Sequence, residues 1–132
     1  MAHILIVEDD ADLRGLVKSM LKDTGHDAIC ANTLAEAHAV VHSGQKLDLV
    51  FTDIELGNEP DGGLRIGRIV AQRRPDIPIL YTTGRPLSDV MREQFIPASA
   101  FIPKPYTADA VLDQVALLLC PDSFAWRRGC PF

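Results

Sequence analysis

The chain has 132 residues, 47% of them apolar, and a formal net charge of -5. That is the length of one domain with material for a real core, which excludes a disordered chain, and the acidic balance argues against non-specific nucleic-acid binding. No apolar run has the length of a membrane span, no signal peptide precedes the first strand, and Cys30, Cys120 and Cys130 are an odd, scattered set without metal spacing, so a cytoplasmic protein with reduced thiols is expected.

His3–Val7 (HILIV) reads as a buried strand that ends in three acids, Glu8, Asp9 and Asp10. A helix follows, with Leu13, Leu16, Val17, Met20 and Leu21 on one face at helical spacing. Asp9 or Asp10 can cap it, and Gly25 is a natural stop. Asp27–Ala31 is a short, weak strand. Thr33 caps the next helix with Glu36 as its capping-box partner; Leu34, Ala37, His38 and Val41 line the inner face, and Gly44 ends it. The run 47–53 (LDLVFTD) is β-rich, flat in pattern, and delivers one carboxylate, Asp53.

Residues 56–63 carry the turn formers of a flexible loop. A helix is predicted over 64–74, with Ile66, Ile69 and Val70 inward, stopped by Pro75. A fourth strand is predicted over 77–82, ending near Thr83 and Gly84, then a short helix over 88–95 and a fifth strand over 100–102 that runs into Pro103-Lys104-Pro105. Thr107 caps a last helix whose apolar stripe is Val111, Leu112, Val115, Leu118 and Leu119. Strands alternating with helices imply an α/β fold with a doubly wound parallel sheet, and five units in this length fit the flavodoxin-like order 2-1-3-4-5. The expected division is one domain over 1–120 and a C-terminal tail over 121–132. The tail mixes aromatic and basic residues, as in Phe124, Trp126 and Arg127, and reads as a frayed or self-docking terminus rather than a partner motif.

In that order the first and third strands meet at the switch point, where ligands of open α/β sheets gather. Glu8, Asp9 and Asp53 then converge on one crevice, with Thr83 and Lys104 beside them. Three such carboxylates repel unless a hard cation lies between them, and oxygen ligands suit Mg²⁺. A carboxylate beside Mg²⁺ can act as a nucleophile toward phosphorus and form an acyl phosphate. The Lys104 ammonium and the Thr83 hydroxyl can meet the remaining phosphoryl oxygens, and Gly84 leaves room for the group.

These residues in this order resemble the receiver domain of two-component response regulators. The resemblance runs over nearly the whole chain, through ILIVEDD, LVFTD, ILYTTG and FIPKPY. It implies that Asp53 is the phosphoacceptor, that Asp9 is a direct Mg²⁺ ligand with Glu8 acting through water, and that the backbone carbonyl of Glu55 completes the protein ligands. It implies that Thr83 is the switch hydroxyl, Lys104 the phosphate-pairing lysine in a cis peptide with Pro105, and Phe101 the aromatic switch. A histidine kinase or histidine phosphotransfer protein then supplies the phosphoryl group to a monomer or weak dimer that passes the signal to a downstream protein. The expectation is a stand-alone receiver, a signalling phosphoacceptor rather than an enzyme. The loop after Asp53 is longer than the common form, and the helix over 88–95 is shorter. Glu55 and Arg85 project over the same mouth and are expected to pair across the approach of a hydrolytic water.

The same residues admit other readings. Asp10 reads as a helix cap, His38 as a packed side chain, and Phe101 equally as a plain core aromatic. A receiver fold serving as phosphate sink, or binding without phosphorylation, fits the same pattern. For a Mg²⁺-dependent aspartyl phosphohydrolase, Asp53-Ile54-Glu55 faintly resembles the haloacid-dehalogenase nucleophile motif, but that family carries its motif on the first strand and needs a second Asp, and neither holds here. A flavodoxin-like cofactor binder would need a phosphate loop where this chain has acids.

Overall fold

The structure, a computed structural model, describes residues 2–120. Among the described residues ten elements alternate: β1 (His3–Val7), α1 (Ala11–Asp23), β2 (Asp27–Ala31), α2 (Leu34–His42), β3 (Leu49–Asp53), α3 (Gly62–Arg73), β4 (Ile79–Thr83), α4 (Asp89–Glu93), β5 (Ser99–Pro103) and α5 (Ala108–Leu119). The strands form one parallel sheet in the order β2-β1-β3-β4-β5. The fold is the one the sequence predicts. The predicted tail over 121–132 lies outside the described residues. Among the described residues no helix is long and apolar enough to cross a membrane.

The central strands β3 (LVFTD) and β4 (ILYTT) are buried at every position, as parallel strands covered on both faces must be. Strand alternation sends Val50, Ile79 and Tyr81 toward α2 and α3, and Leu49, Phe51 and Leu80 toward α1 and α5, giving two separate cores. Side-chain caps start four helices: Asp10 for α1, Thr33 for α2, Ser88 for α4 and Thr107 for α5. Asp10, rather than Asp9, accepts from the amides of Asp12 and Leu13. Asp9 is thereby left free for the crevice.

Several local expectations change. His38 is exposed, stacked on His42 at 4.0 Å between ring centroids. α2 is only nine residues long and buries a narrow stripe, Ala37 and Val41, with His38 one step off it. Leu16 likewise lies off the buried stripe of α1 and is 55% exposed. β4 is shifted to Ile79–Thr83, which brings Thr83 into the sheet.

The loop after β3 is ordered by its own backbone. Leu56 and Glu59 exchange amide–carbonyl bonds of 2.9 and 2.8 Å around a tight turn at Gly57, whose φ is +58°. α3 starts at Gly62, two residues earlier than predicted, because its first turn is pressed onto the end of β3. A Cβ on Gly63 would stand 2.2 Å from the Asp53 carbonyl oxygen, so only glycine permits this approach. Gly67 makes the same kind of space for the Tyr81 hydroxyl, which accepts a hydrogen bond from the Ile96 amide at 3.3 Å.

Candidate functional site

The carboxyl ends of β1, β3, β4 and β5 form the mouth of the site. β1 delivers Glu8, which is 4% exposed, and β3 delivers Asp53, 6% exposed. Carboxylate oxygens of Glu8, Asp9 and Asp53 lie within 4.8 Å of one another. The Lys104 ammonium bridges two of them, at 2.8 Å from Glu8 Oε1 and 2.7 Å from Asp53 Oδ2. Its backbone amide is tied to the Thr83 carbonyl, and its bond to Pro105 is cis.

Each carboxylate has a second donor. Asp53 Oδ1 accepts from the Glu55 amide at 3.2 Å, and Glu8 Oε2 accepts from the Asp10 amide at 3.2 Å. Asp9 is exposed, and its Oδ2 accepts from the Gly57 amide at 3.0 Å, which ties the first acidic loop to the turn after β3. Arg14 donates to the Glu8 carbonyl at 2.7 Å. These bonds tie both loops to the carboxylates and to Arg14 through backbone amides and one carbonyl.

Burial pushes the Glu8 and Asp53 carboxyls above their usual range, against the opposing hydrogen bonds from Lys104. Burial alone would lower the Lys104 ammonium, but its hydrogen bonds to Asp53 and Glu8 outweigh that and raise it. One cation thus offsets part of the cost of two buried acids. An all-oxygen cluster with this unrelieved negative charge suits a hard divalent cation.

Thr83 is 1% exposed and turned toward Glu55: its hydroxyl donates to Glu55 Oε1 at 3.2 Å and accepts from the Arg85 amide at 3.2 Å. Arg85 Nε meets Glu55 Oε2 at 2.6 Å, so the expected Glu55–Arg85 pair is formed. Phe101 does not join the mouth. It is half-buried in the α2/α3 core, 6.1 Å from the Phe95 ring and 6.0 Å from the Arg92 guanidinium carbon.

Two further residues stand at the mouth, to which the sequence motifs assign no role. Tyr106, two positions after Lys104, is half-buried, and its hydroxyl is pushed up to about 12 by burial and by the charge of Glu8. Thr82 pairs in register with Asp53 and is 2% exposed. Strand alternation could have placed Thr82, since a side chain directly across from Asp53 must share its face.

The family model for the response regulator receiver domain matches residues 4–116. The chain belongs to that family. It is a receiver domain of the two-component response regulators. It is 32% identical over 114 residues to the nitrogen assimilation regulatory protein NtrX of Azorhizobium caulinodans, an alignment that covers 85% of this chain and 25% of the relative. The receiver thus spans about a quarter of that protein's length. Among solved structures, a response regulator receiver protein from Sinorhizobium medicae superposes with a TM-score of 0.84 at 29% identity, covering 91% of this chain and 95% of the other. TrrA of Thermotoga maritima, solved in complex with Mg²⁺-BeF, gives 0.77 at 27% identity, covering 90% of this chain and 100% of the other.

Proposed function

We propose that this receiver takes a phosphoryl group from a histidine kinase or histidine phosphotransfer protein onto Asp53 and changes its protein contacts as a result. The observation that carries the reading is the Lys104 bridge between Glu8 and Asp53. It holds a carboxylate oxygen at the open mouth with a cation beside it, as a nucleophile toward phosphorus requires. The Asp53 oxygen adds to phosphorus, the P–N bond of a phosphohistidine breaks, and its electron pair stays on the imidazole. Lys104 then pairs with a phosphoryl oxygen.

Asp9 and Asp53, with Glu8 through water and the Glu55 carbonyl, would hold Mg²⁺, which would neutralise charge on the transferring group. The Mg²⁺-BeF complex of TrrA supports this assignment by similarity. Thr83 has a hydroxyl free to leave Glu55 for a phosphoryl oxygen. That movement would loosen Glu55 and Arg85 and alter the packing that Phe101 shares with Phe95, so that a chemical event is read on the β4–α4–β5 surface. We read the domain as a signalling phosphoacceptor rather than a turnover enzyme.

Acetyl phosphate as a small donor tests the reading. With Mg²⁺, the wild-type chain gains the mass of one phosphoryl group, Asp53→Asn gains none, and Asp9→Asn needs more Mg²⁺ for the same yield. Equal labelling of Asp53→Asn and wild type overturns it.

A further inference from the structure

On the α1/α5 side of the mouth lies a polar group that phosphoryl transfer, as described, does not use. Thr82 faces Asp53 across the β3–β4 register, so both side chains leave the sheet on one face. Thr82 is 2% exposed, and its Oγ1 has no hydrogen-bond partner among the described residues. With Glu8, Asp53, Phe51, Val17 and Tyr106 it lines a cavity of about 10 Å³.

A cavity of that size is about one water sphere, and water enters such a space when two or more polar partners surround it. The Thr82 hydroxyl and the carboxylates of Glu8 and Asp53 are three. Phe51 and Val17 offer none, so in a dry cavity the hydroxyl would be buried and unpaired, where valine of the same shape would carry no such cost.

We propose that this cavity binds a single water between Thr82 Oγ1 and the inner sides of the Asp53 and Glu8 carboxylates, and that Thr82 is through it a positioning residue for loss of the phosphoryl group. The second half rests on the reading of Asp53 as acceptor; the first does not. The bound water donates to the Asp53 oxygen that does not carry phosphorus. In hydrolysis a different water, from the open mouth, adds its oxygen to phosphorus. The P–O bond to Asp53 breaks and its electron pair returns to the carboxylate; one proton stays on the phosphate and the other passes to solvent. The charge returning to Asp53 meets a donor already in place.

Three proteins test this: wild type, Thr82→Val and Thr82→Ser. In a high-resolution crystal structure, wild type and Thr82→Ser show ordered solvent within hydrogen-bond distance of the residue-82 hydroxyl and one carboxylate, and Thr82→Val shows none. After loading with acetyl phosphate, Thr82→Val keeps its phosphoryl group about two- to tenfold longer, the factor that one neutral hydrogen bond supplies, and Thr82→Ser decays at the wild-type rate. A dry wild-type cavity overturns the proposal whether or not the chain takes a phosphoryl group. A wet cavity with equal half-lives in all three proteins overturns the positioning role. A chain that takes no phosphoryl group at all sinks the reading of Asp53, and with it the positioning role, while the crystallographic result still decides the water site.

Discussion

The acidic mouth and the flank from Thr83 to Phe101 are held together by different forces. In the mouth, Glu8 and Asp53 are buried, each of their oxygens has a donor, and the loops around them are tied by backbone amides. The flank is lighter. Its helix α4 has five residues, Arg85 is 76% exposed at the side chain, and the inner contact is a stack of Phe95 on Tyr81 at 4.3 Å between centroids. On the proposed reading, chemistry that needs fixed geometry would use the first region, and a switch, which needs alternatives of similar free energy, would use the second. Thr83 joins the two, with a buried backbone and a hydroxyl engaged only with Glu55 and the Arg85 amide.

The comparison breaks first if the rigid side yields cheaply. Gly63→Ala forces a methyl group against the Asp53 carbonyl oxygen, which is backbone and cannot rotate away. The expected loss is about 3 kcal/mol, the upper end of ordinary overpacking, with weaker phosphorylation. Chemical denaturation measures it, and a loss of about 0.5 kcal/mol or less, within the range of ordinary surface changes, would show that the loop after β3 adapts.

A smaller effect of opposite sign is expected at Asp53. A carboxyl raised by burial contributes stability below its unfolded value, near 3.8 for Asp53, and that contribution is lost as pH rises through the folded value. In metal-free buffer at neutral pH, Asp53→Asn should therefore melt a few degrees above wild type, the shift that about 1 kcal/mol produces in a domain of this size. The gap should shrink as pH falls toward 4. A constant gap across that range would mean the burial of charge at Asp53 is not what costs stability.

The smallest effect belongs to the flank. The Glu55–Arg85 pair forms beside the Thr83 hydroxyl, and an exposed pair contributes only about 0.2–1 kcal/mol. At the barrier that is at most about a fivefold change in rate. Arg85→Ala and Glu55→Ala should each speed dephosphorylation a few-fold. The double variant should fall short of the product of the two, since either change already breaks the pair. Half-lives of the four proteins decide it; independent multiplicative effects would make both residues separate surface charges.

Much of this was legible in the sequence, for reasons visible in particular residues. Buried parallel strands write themselves as apolar runs, so LVFTD and ILYTT placed the sheet, and the doubly wound order brought Glu8, Asp9, Asp53 and Lys104 to one end. Contacts made by backbone were not legible. Gly62 and Gly63 read as loop because glycine commonly marks turns, whereas here it marks close packing of α3 on β3. His38 was misplaced because an apolar stripe on a nine-residue helix can be drawn one position too wide. Thr83 stands out in the sequence because the small Gly84 follows it, whereas Thr82, which leaves the sheet on the opposite face, is marked only by its register with Asp53.

The claim at the centre is that the acyl phosphate forms on the Asp53 carboxylate. Borohydride reduces an aspartyl phosphate to homoserine, which peptide mass spectrometry locates. After treatment with acetyl phosphate and Mg²⁺, homoserine is expected at position 53 alone, with Glu8, Asp9, Asp10 and Glu55 unchanged. Reduction at any of those four acids, with Asp53 intact, would contradict the account.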